Sequence, residues 1–130
     1  MLRRIAEVEG LSPAVGPYSF AVIAGNTVYT AGQVGQTVDG KLVEGGLEAE
    51  ARQALDNLGR ILSAAAVGFS DVVKTTIYLT DAADFATVNE IYAGYFPDGE
   101  YPSRETTVAA ALPLGARVEI SMVAALHSAA

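Results

Sequence analysis

Leu47, Ala51, Ala54, Leu55, Leu58, Ile61, Leu62 and Ala65 recur at spacings of three and four, and no other feature narrows the choice of fold as far. The spacing predicts a helix from Leu47 to Ala66 with one apolar stripe along its length. Gly68 stands just beyond it, where a glycine in left-handed geometry commonly ends a helix. A stripe on one side only must be buried against another layer, and most of the flanking chain reads as strand.

Leu2 to Val8 is expected to be a short first strand. Tyr18 to Ala24 and Thr27 to Gln33 are rich in β-branched and aromatic residues, and Gly25-Asn26 between them is a two-residue hairpin signal. Asp39-Gly40 and Gly45-Gly46 mark a loop. Beyond the helix, Val72 to Thr80 alternates, with Val73, Thr75, Ile77 and Leu79 on one face. Asp81 is placed to cap a second helix, with Asp84 adding charge at its positive end. Phe85, Val88, Ile91, Tyr92 and Tyr95 form the buried stripe of that helix, and Pro97 ends it. Two strands follow, near Thr106 to Ala111 and Arg117 to Leu126. In the last, Val118, Ile120, Met122 and Ala124 face one way, and Arg117, Glu119 and Ser121 the other.

The order β-β-β-α-β-α-β-β makes residues 1–130 one α+β domain, with one sheet face covered by two helices. The other face would carry Val72, Lys74, Thr76, Tyr78 and Thr80 beside Glu119 and Ser121. That mixture suits a solvated surface and a contact between subunits equally. A mean hydropathy of +0.30 with 51% apolar residues is rich for a small monomer and argues for additional buried surface.

Absences restrict the chemistry. Without cysteine there is no thiolate nucleophile, disulfide framework or Cys-based metal site. The single histidine, His127, lies near the end, so a Ser-His-Asp triad or a multi-histidine site within one chain is excluded. No phosphate-binding loop appears; Gly32-Gln33-Val34-Gly35 is too short. A net charge of −7 opposes nucleic-acid binding, which depends on neutralising phosphates. No apolar run approaches the roughly 18 residues of a membrane span, and the start of the chain lacks a signal-peptide core, so a cytoplasmic protein is expected. Chemistry is left to Arg, Glu, hydroxyls, amides and backbone.

Pro102-Ser103-Arg104-Glu105-Thr106-Thr107-Val108 draws attention for that reason. Arg104 opens an apolar run, and a guanidinium beside a hydrophobic strand needs a partner, because burying an unpaired charge is costly. Its fork matches a carboxylate with two parallel hydrogen bonds, which lysine cannot reproduce. The residues alone leave two readings open: an anion anchor, or a surface salt bridge to Glu105 or Asp98 with Glu119 a solvated strand residue.

Five segments resemble the Rid family of imine/enamine deaminases (the YjgF/RidA group), over about Ser12 to Ala125. They are Gly16-Pro17-Tyr18-Ser19, Thr30-Ala31-Gly32-Gln33, Ala51 to Leu58, Asp84 to Asn89, and Tyr101 to Val108 running on through Leu112-Pro113 to Val118-Glu119-Ile120. The resemblance implies a chorismate-mutase-like homotrimer, with sheets forming a barrel-like core, helices outside and ligand clefts between subunits. It implies hydrolysis of reactive 2-imino acids and their enamine tautomers, such as 2-aminoacrylate, to 2-oxo acids and ammonia, without cofactor or metal. It makes Arg104 the carboxylate anchor, Glu119 the group that activates water, and Tyr18, Gly32, Asn89 and Thr106 pocket residues. Thr106 stands where the family often has cysteine and Ala31 where it often has serine, which bears on substrate preference. The same pocket is compatible with a more specialised catabolic deamination. A trimer that senses 2-oxo or amino acids would need only the anchor, so the presence of both Arg104 and Glu119 favours the enzyme.

Overall fold

The computed structural model describes residues 2–127. Its elements are β1 (Leu2–Ile5), β2 (Ala21–Ala24), β3 (Thr27–Thr30), α1 (Leu47–Ala64), β4 (Val72–Leu79), α2 (Phe85–Ala93), β5 (Ser103–Val108) and β6 (Val118–Ala125). The predicted order is observed. The strands form one six-stranded sheet in the order β1-β2-β3-β6-β4-β5, antiparallel except for the β4–β5 pair. Among the described residues no helix is long and apolar enough to cross a membrane.

The stripe on α1 explains the layering. Ala51, Ala54, Leu55, Leu58, Ile61 and Leu62 are fully buried against Val118, Ile120, Met122 and Ala124 of the central strand β6, and against Val28, Ile77 and Leu79 beside it. The β2–β3 hairpin turns on two residues, with Gly25 at φ 60 where a side chain would be strained.

Several local expectations give way to tertiary detail. Helix α1 ends with Ala66, not Gly68, in the left-handed region, at φ 63, as the Val67 N–H returns to the Leu62 carbonyl at 3.0 Å. Gly68 is extended, and its N–H donates to Asp71 Oδ2 at 2.9 Å to open a short 3-10 turn. A bulge between Val72 and Lys74 slips the alternation of β4, so Val72 is buried and Val73 exposed, the reverse of the predicted faces. Strands β2 and β3 are shorter than expected, although Gln33 rejoins the sheet by a bridge to Ile120. Strand β5 begins three residues earlier than predicted and so contains Arg104. Asp81 caps a 3-10 turn that leads into α2, accepting from the Ala83 N–H at 2.9 Å.

Candidate active site

Thr75 and Ile77 on β4 are in register with Arg104 and Thr106 on β5, which directs Arg104 toward the helical layer. There α2 presents Phe85, Asn89 and Tyr92 at spacings of four and three, one row on one helix face. The Arg104 guanidinium lies 5.1 Å from the Tyr92 ring centroid and 5.5 Å from that of Phe85. Its Nη2 donates to Asn89 Oδ1 at 2.6 Å. The Tyr92 hydroxyl is fixed in turn, donating to the fully buried Thr75 Oγ1 at 2.8 Å. Burial pushes that hydroxyl's pKa up, so it stays a donor.

Arg104 is therefore no surface salt bridge. Glu105 pairs with Lys74 at 2.6 Å, and among the described residues no carboxylate pairs with Arg104. Ring faces attract a cation without satisfying its N–H groups, and Asn89 accepts one of five. The rest of the fork is left to receive an anion at a cleft of about 490 Å³ bordered by Tyr101 and Pro102. The helical spacing predicts Phe85 and Tyr92 as core residues, and Tyr92 is buried as expected. Phe85 is 44% exposed and serves as one wall of the cradle. The signal was present in the 85/89/92 spacing, which puts both rings on the face of Asn89.

Glu119 points the other way. It pairs in register with Tyr78 on the sheet face away from the helices, and lines a second cleft of about 500 Å³ with Tyr18, Phe20, Gly32, Val34 and Leu114. Two backbone hydrogen bonds between Gln33 and Ile120, at 2.8 and 2.9 Å, draw Gly32 against this carboxylate. The approach needs a glycine, because a Cβ at residue 32 would lie 2.4 Å from Glu119 Oε2. Burial among these groups pushes the Glu119 carboxyl above the ordinary carboxylate range.

One chain thus assembles two separate clusters. Arg104 and Asn89 meet on one surface; Glu119, Gly32 and Tyr18 meet on another. Thr106 is half-buried on β5, two residues from Arg104, and lines neither cleft. Among the described residues no cluster of three or more His, Asp or Glu side chains is arranged to hold a metal ion.

Comparison with known proteins places this arrangement. The family model described as Endoribonuclease L-PSP matches residues 10–126. A mouse protein named 2-iminobutanoate/2-iminopropanoate deaminase is 50% identical over 125 residues, covering 95% of this chain and 92% of its own. The human protein of that name is 48% identical, covering 95% and 90%. The crystal structure of RidA from the Antarctic bacterium Psychrobacter sp. PAMC 21119 superposes with a TM-score of 0.89 at 39% identity, covering 95% of this chain and 100% of that one. The chain belongs to the Rid family. The α+β fold with its six-stranded sheet and two helices is the Rid fold, and of the residues that carried the resemblance Arg104 and Asn89 line one cleft, and Tyr18, Gly32 and Glu119 the other.

Proposed function

We propose that the protein hydrolyses reactive 2-imino acids and their enamine tautomers to 2-oxo acids and ammonia, in a homotrimer whose active site is shared between neighbouring copies. The observation that carries this reading is the division of the site. A guanidinium cradled by two rings and an amide has donors to spare, and among the described residues no cation pairs with the carboxylate of raised pKa. A neighbouring copy that brings its Glu119 cleft against the Arg104 edge would complete both. The uncovered sheet face exposes Tyr29 and Tyr78, which favours a subunit contact over a solvated surface. The relatives named 2-iminobutanoate/2-iminopropanoate deaminase support the reaction itself.

The chemistry follows from these groups. Arg104 takes the substrate carboxylate bidentately and holds C2 in place. The imine carbon is already electrophilic, so water can attack it directly. Glu119 accepts a proton from that water as the C–O bond forms and the C=N π electrons move onto nitrogen. The protonated carboxyl returns that proton to nitrogen to give the carbinolamine. Glu119 then takes the hydroxyl proton and passes it to the amino group as the C=O bond forms and the C–N bond breaks, so ammonia leaves a 2-oxo acid. Burial raises the Glu119 pKa, which moves the carboxyl in the direction that lets one group both take and return a proton. The net charge of −7 opposes the ribonuclease reading that the family model's description suggests.

The test is release of 2-oxo acid from freshly generated 2-iminobutanoate and 2-iminopropanoate. Wild-type protein should accelerate it, and Arg104→Ala should lose about 2–5 kcal/mol of transition-state stabilisation, roughly 30-fold to several-thousand-fold. Arg104→Lys should restore little, since the fork geometry is lost. Near-normal turnover by Arg104→Ala would remove the anchor from the account.

A further inference from the structure

One residue beside the Glu119 cleft breaks a backbone rule. Leu114 has φ 60 and ψ 15, in the left-handed region that a leucine rarely adopts. Its side chain is 53% exposed, turned out of the core and into the cleft that holds Glu119, Gly32 and Tyr18. Strained residues persist where their surroundings over-determine them, and they cluster at ligand clamps.

The surroundings show what holds this one. The turn Pro113–Gly115 is closed by the Gly115 N–H on the Leu112 carbonyl at 3.2 Å and the Ala116 N–H on the Pro113 carbonyl at 3.1 Å. Just after it, Arg117 is gripped from three elements. Its backbone N–H donates to Oε1 of the buried Glu50, on α1, at 2.8 Å. Its carbonyl accepts from the Thr80 N–H, at the end of β4, at 3.3 Å. Its guanidinium donates to both oxygens of the buried Asp84, before α2, at 2.9 and 3.1 Å. A turn anchored in this way presents Leu114 at a fixed place.

We propose that Leu114 is a specificity-determining wall of the Glu119 cleft, touching the side chain of a bound 2-imino acid and selecting substrates in which that side chain is aliphatic. The inference rests on the reading of the site given above. With the carboxylate on Arg104 and C2 beside Glu119, the remaining substituent of C2 must lie along the rest of the cleft. Glu119 carries the charge there; Tyr18, Phe20, Val34, Pro113 and Leu114 offer apolar surface. Glu50 is a positioning residue, acting on the substrate only through Arg117 and the turn.

Binding of unreactive 2-oxo acids tests this without requiring turnover. Calorimetry with 2-oxopropanoate and 4-methyl-2-oxopentanoate gives a ratio of two dissociation constants for each protein. Wild type should favour the branched acid, and in Leu114→Gly that ratio should fall about tenfold, the scale on which apolar pockets discriminate. The glycine is at home at φ 60, so folding is not at risk. Glu50→Ala should lower the ratio as well, and Glu50→Gln, which keeps an acceptor for the Arg117 N–H, should restore it. A ratio unchanged within twofold in Leu114→Gly would overturn the assignment. So would loss of the trimer in sedimentation with both affinities falling equally, which would make Leu114 a contact between copies. Failure of wild type to bind either acid would overturn the reading of the site itself, and the role of Leu114 with it.

Discussion

Gly32→Ala separates the chemistry of Glu119 from the stability of the fold. The added methyl would sit 2.4 Å from Glu119 Oε2 and 3.1 Å from its Cδ. Ordinary contact begins at 3.4 Å, so the carboxylate must withdraw by about 1 Å. It can do so, because the opposing atoms are the far end of a flexible side chain and Glu119 faces an open cleft. The backbone of residue 32 is outside the left-handed region, so alanine introduces no strain there. Displacing a catalytic group by 1 Å costs about 10²-fold, or about 2.7 kcal/mol of barrier. The expected variant is folded, melts within about 2 °C of wild type, and has kcat/KM on 2-iminobutanoate lowered about 100-fold. Thermal unfolding beside the 2-oxo acid assay reads both quantities. A variant with kcat/KM within threefold of wild type would refute the reasoning, since the atom in its way would then not be the one that handles water.

Other changes probe the same geometry. Glu119→Gln keeps size but cannot take a proton, and kcat should fall about 10²–10⁴-fold while calorimetric binding of 2-oxobutanoate survives. Because burial raises the Glu119 pKa, ionising it costs more in the folded chain than in the unfolded one. That cost is absent below the ordinary carboxylate range and grows as pH rises through the raised value, so Glu119→Gln should melt above wild type at pH 8 and level with it at pH 4. Wild-type kcat/KM should fall toward acid with its inflection above the ordinary carboxyl value of 4.5, as the base becomes protonated. Gly35→Ala should behave oppositely to Gly32→Ala. Its methyl would meet the Glu50 Cα at 2.7 Å and carbonyl oxygen at 2.8 Å, helix backbone that cannot yield, so stability should fall by about 1–3 kcal/mol or more in thermal melts.

The layers of this fold are legible in the sequence because they depend on periodicity. The α1 stripe and the alternation of β6 each require a burying partner, and each finds the other. What periodicity cannot register is a single inserted residue. The bulge after Val72 exchanges the faces of Val72 and Val73 while the rest of β4 keeps the predicted alternation. Helix ends were less legible still, since Gly68 carries the left-handed signal but the Asp71 carboxylate holds its N–H in an extended turn, leaving Ala66 to adopt positive φ. At the site, Arg104, Asn89, Gly32, Tyr18 and Glu119 were identified through the family resemblance, but nothing in one chain's sequence says that two of them share one surface and three another. That division depends on which sheet face each strand residue takes and on which loops close over it. Leu114 is not legible in the sequence, because an exposed leucine in a turn has no sequence signature; only its dihedral angles mark it.

Subunit complementation tests most directly whether the active site is shared between copies. Arg104→Ala and Glu119→Gln proteins, each inactive alone, are mixed in equal amounts, unfolded and refolded together so that protomers assort at random. In a shared site, half of the Arg104 positions and half of the facing Glu119 positions are intact, independently, so about a quarter of the sites regain both. The account predicts a return to about 25% of wild-type turnover on 2-iminobutanoate after mixing. Turnover that stays at the level of the separate variants, in a mixture shown to have exchanged protomers, would mean that Arg104 and Glu119 do not act across a subunit boundary.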